Sequence, residues 1–170
     1  MDIVSHGLWG SIAVGRRSKR SFRLAFFFGI APDLFSFGAF FVSALVGFTE
    51  RPQFSSEPPD PSLIPSYVGY LYNFTHSFVV FAIAFLVLWA IFQRPIGEFF
   101  AWGLHILFDI PTHSYRFFPT PFLWPLSTFK IDGTSWASPW VFFPNIAVLA
   151  LLYFWFFILR RRRSSVTIAA

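Results

Sequence analysis

The chain has 170 residues, of which 55% are hydrophobic, 23% aromatic and only 12% charged, with a formal net charge of +5 and no cysteine. A soluble domain of this length carries about a quarter charged residues, so the composition points away from a water-exposed globule and toward a membrane protein of one domain. Disulfides and thiolate metal ligands are excluded, and so is nucleic-acid binding, because no basic face with interleaved aromatic residues accompanies the positive charge.

The first apolar segment, residues 3–14, contains His6 and runs into the basic stretch GRRSKRSFR (15–23). Its charges follow the apolar run and no small-residue cleavage site appears, so it does not read as a signal peptide. The second, 22–48, is long and is interrupted by Pro32 and Asp33; the third, 67–92, reads as one further span. The fourth, 95–112, carries His105 and Asp109, and the fifth, 139–159, precedes Arg160–Arg163. Crossing a bilayer takes about 20 apolar residues, which makes the first and fourth segments marginal. Between spans, 50–62 reads as an exposed Pro- and Ser-rich loop, and 114–138 as an aromatic segment lying at the membrane interface. Ten of the thirteen Lys and Arg fall in the 15–23 connection, at Arg94 and in the tail. Placing those regions in the cytoplasm requires five crossings. The predicted fold is therefore an all-α, polytopic transmembrane bundle of about five helices, with the N-terminus outside and the C-terminus cytoplasmic.

Ionisable residues are costly inside a bilayer, and by default they face the bundle interior and have a partner. His6 lies ten residues before Arg16, Asp33 ten after Arg23, and His105 eleven after Arg94. At about 1.5 Å of rise per residue all three stand roughly 15 Å above the basic boundary. Asp109 is one turn higher, and His76 and His113 fall toward the outer face. His105 and Asp109 are i and i+4, on one helix face. Pro111 disfavours helix at Ile110, so the helix is expected to kink or stop before His113. A single histidine in a span is ordinarily a satisfied polar group in an interhelical network. Six groups at compatible depths, His6, Asp33, His76, His105, Asp109 and His113, point instead to a divalent metal that compensates the carboxylates and takes neutral imidazoles as ligands. Nitrogen and oxygen ligands without thiolate favour zinc, with manganese or iron as alternatives. Thr75 and Ser77 flank His76 as groups that could orient it. Arg116 at the outer interface is a candidate contact for an anionic head group or a snorkelling anchor.

The order His6-Gly7, Pro32-Asp33, Thr75-His76-Ser77 and His105-x-x-x-Asp109 followed by Phe122-Leu123-Trp124-Pro125 resembles the YdjM-like inner-membrane proteins of prokaryotes, over roughly residues 4–127. That family is regarded as membrane-bound metal-dependent hydrolases and is grouped with zinc-dependent phospholipase C and related nucleases. The resemblance implies that Asp33, His76, His105 and Asp109 surround one metal and that His6 helps hold a second. The soluble relatives' further His-x-x-x-Glu pair is missing. The family's Pro-Asp-x-Asp reads Pro32-Asp33-Leu34-Phe35 here, and its His-Arg-Gly reads Tyr72-Asn73-Phe74. One or two ions are therefore expected rather than three. The expected activity is hydrolysis of a phosphoester of a membrane lipid by a metal-activated water, with Asp33 or Asp109 taking the proton. The alternative is a non-enzymatic metal-binding or ion- or proton-transporting membrane protein.

Overall fold

The computed structural model describes residues 1–49 and 63–159, with the side chain of Leu159 excepted. The predicted 50–62 loop and Arg160–Arg163 lie outside the described residues. Among the described residues there are six α-helices: α1 Ile3–Val14, α2 Lys19–Leu45, α3 Ser66–Thr75, α4 Phe78–Phe92, α5 Phe100–Thr112 and α6 Pro139–Phe154. A 3-10 turn, Gly97–Phe99, leads into α5, and a π-helical turn, Trp155–Leu159, continues α6. No strand occurs among the described residues, only an isolated bridge between Ser114 and Phe117.

Two helices, Lys19–Leu45 and Pro139–Ile158, are long and apolar enough to cross a membrane. A third span exists if α3 and α4, bent by 60° at their junction, count as one. The expectation of a single helix over 67–92 is thus corrected: the segment breaks at His76–Ser77. Helices α1 and α5, of 12 and 13 residues, are about 18–20 Å long and fall short of a hydrocarbon core of about 30 Å. Helix α4 buries none of its fifteen residues. A helix apolar all round and uncovered by protein has lipid as its natural surroundings.

The centre of the bundle is α1, which packs on α2, α5 and α6, while α2 also meets α3 and α5. Small residues allow the close approach of α1 to α2. A Cβ at Gly29 would stand 2.5 Å from the His6 carbonyl oxygen, and one at Gly10 2.8 Å from both Ala25 O and Ala101 Cβ. Close backbone packing through small residues is how helices associate where lipid tails remove the hydrophobic drive. Pro32 lies inside α2, and the helix continues through it. Likewise α5 runs past Pro111 to Thr112, and His113 is its extended C-cap, so the stop before His113 falls one residue short of that histidine. The interfacial segment folds back on this end. Gly133 N, Thr134 N and Trp136 N donate to the carbonyls of His113 (2.8 Å), Pro111 (2.9 Å) and Thr112 (2.9 Å), which have no donor left within the helix. Helix α6 is tied to α1 by polar groups: Trp9 Nε1 donates to Asn145 Oδ1 (2.8 Å), and Asn145 Nδ2 donates to Ser5 Oγ (2.8 Å).

Candidate metal centre

Three helical elements and one helix break bring the ionisable residues together. Asp33 comes from the middle of α2, just after Pro32. His105 and Asp109 come from α5, and His76 caps the C-terminus of α3 where the chain turns into α4. Ser77 stabilises the break as N-cap of α4, accepting from Val79 N (3.1 Å) and Val80 N (3.3 Å). Its hydroxyl donates to the Trp124 carbonyl. Phe78 N donates to Phe122 O (2.9 Å), and Trp102 Nε1 to the Thr75 carbonyl (2.7 Å). The backbone groups freed by the break are therefore satisfied by protein, the condition for irregular backbone at membrane depth.

One atom from each of Asp33, His76, His105 and Asp109 lies within 4.8 Å of every other, forming a cluster that could hold a metal ion. His105 Nε2 is 3.0 Å from His76 Nε2 and 3.1 Å from Asp109 Oδ2. His76 Nε2 is 3.3 Å from Asp109 Oδ2 and 3.5 Å from Asp33 Oδ1, and His105 Nε2 is 3.8 Å from Asp33 Oδ1. These separations, 3.0–3.8 Å, are those of donor atoms that share one metal ion at about 2.0–2.2 Å.

The hydrogen bonding selects the same reading. His105 Nδ1 lies 2.6 Å from the Gly29 carbonyl, and His76 Nδ1 lies 3.2 Å from Tyr72 O and 2.9 Å from Thr75 Oγ1. A carbonyl only accepts, so each Nδ1 carries the hydrogen and each Nε2 turns a lone pair to the centre. Asp109 Oδ2 is buried there and receives no hydrogen bond. Four acceptors converging there make a site that could hold a cation. The residues fit a divalent metal.

His6 and His113 belong to the surroundings of Asp109. His6 Nε2 donates to Asp109 Oδ1 (2.8 Å), and its ring stacks on His105 at 3.6 Å and 22°. Its Nδ1 is buried without a partner. His113 Nδ1 is 3.3 Å from the same oxygen. The Met1 amine also contacts Oδ1 and lies 3.1 Å from Thr112 Oγ1. One oxygen of Asp109 is thus held from several sides while the other faces the centre. The side chains of His76, His105 and Asp109 are at most 1% exposed, whereas Asp33 is 16% exposed. Access to the cluster is therefore on the Asp33 flank.

Arg116 is exposed in the 114–117 turn, with no ion pair among the described residues. Of the two residues expected to orient His76, Thr75 does so directly and Ser77 acts through the helix break. Two contributors were not anticipated from sequence. Tyr72 stacks on His76 at 3.8 Å and donates to Phe118 O (2.9 Å). Gly29 supplies both the acceptor for His105 and the gap for α1. Their only signal was position, one turn before a ligand in each case.

Fold and site define a class: an all-helical protein with two or three helices long and apolar enough to span a membrane, and a buried His/Asp cluster that could hold a metal ion. Comparison of the chain with protein-family models, with curated proteins and with solved structures finds no match.

Proposed function

We propose that the protein is a membrane-embedded metal-dependent hydrolase that cleaves a phosphoester of a membrane lipid, with zinc at Asp33, His76, His105 and Asp109. The observation that carries this reading is the convergence of four acceptor atoms, one of them a buried carboxylate oxygen with no hydrogen bond. Zinc held by these residues would supply Lewis acidity and lower the pKa of a water to about 7. The chain's own groups divide the remaining work. Asp33, as the accessible carboxylate, takes the proton of the attacking water. Asp109 is immobilised through its other oxygen by His6 and His113, and the Nδ1 bonds of His76 and His105 fix both rings. Asp33 is the partly exposed member of the cluster and sits on a helix long and apolar enough to span a membrane, which favours a substrate that arrives laterally from the bilayer.

The finer topology belongs to the same proposal: five embedded segments in the cytoplasmic membrane of a prokaryote, N-terminus outside and C-terminus inside. It is supported by the motif order shared with YdjM-like proteins. It is also supported by Arg17 and Arg94 lining one cavity, which puts the α1–α2 and α4–α5 connections at the same end of the bundle. The deciding experiment is metal analysis of the purified protein and of Asp33→Ala and His105→Ala, joined to a turnover screen on mixed lipids with Asp109→Asn as control. The expected result is one metal ion per chain, lost with turnover in the variants. Near-zero metal in the unsubstituted protein as well as both variants sinks the proposal.

A second reading draws on the contact chain His6–Asp109–His105–His76–Asp33, a continuous series of proton-binding groups. Such a series suits an ion or proton relay. Metal or proton flux in proteoliposomes without lipid turnover selects it.

A further inference from the structure

The end of the bundle remote from the metal centre carries a second feature. Along α1, Arg16 is ten residues from His6, about 15 Å away. Two adjoining cavities, of about 840 and 490 Å³, share Arg17, Pro95 and Gly97 in their walls. Arg16 lines the larger, and Arg20 and Arg94 the smaller. The acidic member of the lining is Glu98, whose carboxylate accepts from Ser21 Oγ at 2.5 Å. Four guanidiniums thus face one carboxylate. None of the four makes an ion pair within 4.0 Å among the described residues.

The backbone adds to the imbalance. Helix α2 starts here with Ser18 as N-cap, and its first turn holds no acidic residue. A helix N-terminus carries partial positive charge, so Arg20 in the cavity wall stands where an anion is favoured. The rest of the smaller cavity is apolar, with Leu24, Phe28 and Phe92 in its wall. A soluble phosphate would satisfy the arginines and leave those walls in contact with water. An amphiphile satisfies both.

We propose that this basic mouth binds the phosphodiester head group of an anionic phospholipid, Arg17 and Arg94 approaching the phosphate from two connections and the acyl chains running along the apolar wall. The site is separate from the metal centre and does not rest on the hydrolase reading. Arg16 rests over the Phe156 ring at 5.7 Å, and opposite charge brought to guanidiniums without an ion pair gives charge-assisted, bidentate hydrogen bonds. The polybasic connections also draw anionic lipid to the surface.

The test uses the full purified chain in neutral detergent, with thermal unfolding followed by tryptophan fluorescence. The probes are dioleoylphosphatidylglycerol, dioleoylphosphatidylcholine and sodium phosphate. Phosphatidylglycerol is expected to raise the unfolding temperature saturably, and the other two not to. Arg17→Gln with Arg94→Gln is expected to weaken the lipid's apparent affinity by about tenfold or more, as loss of two charge-assisted contacts does. Lys19→Gln with Arg23→Gln removes equal charge outside the cavity walls and is expected to change it less than about threefold. Gly97→Val fills the mouth without altering charge, since a Cβ there lies 3.9 Å from both Arg17 guanidinium nitrogens. It is expected to weaken binding too, and carries the test if the double arginine variant does not fold. Equal shifts with phosphatidylcholine, full reproduction by phosphate alone, or equal weakening by the Lys19/Arg23 pair each overturn the proposal.

Discussion

Gly29→Ala probes the helix contact on which the metal centre is built. The added methyl would lie 2.5 Å from the His6 carbonyl oxygen, 3.0 Å from its carbon and 3.1 Å from Gly7 Cα. All three are backbone atoms of α1, which cannot swing aside as a flexible side chain does. Regaining the 3.4 Å of ordinary contact to the oxygen moves α1 away from α2 by about 0.9 Å. Overpacking of this kind costs about 1–3 kcal/mol, against a gain of about 0.5–1 kcal/mol for replacing a mid-helix glycine. The balance is a loss of about 1 kcal/mol at the midpoints and of up to about 2.5 kcal/mol. The same displacement carries His6 off His105 and disturbs the bond from His105 Nδ1 to Gly29 O. Ligand geometry tolerates only about 0.5 Å, so metal affinity falls by about tenfold or more. Gly38→Ala on the same helix is the internal reference, because nothing lies within 4 Å of its added Cβ. It is expected to stabilise by about 0.5–1 kcal/mol and leave metal affinity unchanged. Thermal unfolding and zinc titration of the two variants give opposite signs on this account. Equal stabilisation with equal zinc affinity would refute the close approach of α1 to the centre.

Tyr72→Phe removes the hydrogen bond to Phe118 O but keeps the ring on His76. A loss of about 1 kcal/mol in thermal unfolding is expected, with metal stoichiometry preserved. Ser77→Ala deletes both the cap of α4 and the donor to the Trp124 carbonyl. It is expected to cost about 1–2 kcal/mol and to raise hydrogen exchange in the first turn of α4. Asn145→Ala leaves Trp9 Nε1 unpaired where α6 meets α1. A loss of about 1–2 kcal/mol without loss of bound metal is expected, since α6 provides no ligand; metal analysis beside a melting curve checks both halves.

Depth was the legible part of the site. Counting from Arg16, Arg23 and Arg94 puts His6, Asp33 and His105 at one level, and the rings of His6 and His105 do stack there, with Asp33 Oδ1 3.8 Å from His105 Nε2. The i, i+4 relation of His105 and Asp109 was equally plain, because helical periodicity is local. The break at His76–Ser77 was not. Its apolar flanks on both sides read as one span, and the groups that satisfy it are the carbonyls of Phe122 and Trp124, more than forty residues away. The end of α5 was legible too: Pro111 argues for a stop before His113, and the helix ends at Thr112, where the returning 133–136 segment supplies donors that no local pattern announces. Five crossings followed from charge counting, with the first and fourth segments marginal by length, and α1 and α5 there have 12 and 13 residues.

The helix break also explains how residues that touch no ligand atom act on the centre. A continuous helix over 66–92 would engage the amide of Phe78 with the carbonyl of Phe74. In the structure that amide donates to Phe122 O, and Ser77 Oγ donates to Trp124 O. The Phe122–Pro125 stretch thereby replaces the helix's own partners and holds the chain in the bent form. Bending releases His76 from the helical path of α4 and leaves it at the end of α3, where Thr75 and the Tyr72 carbonyl orient its ring. Pairing of Thr-His-Ser with Phe-Leu-Trp-Pro in one motif order then has a physical reason. One stretch carries His76, and the other supplies the backbone acceptors that hold the bend beside it.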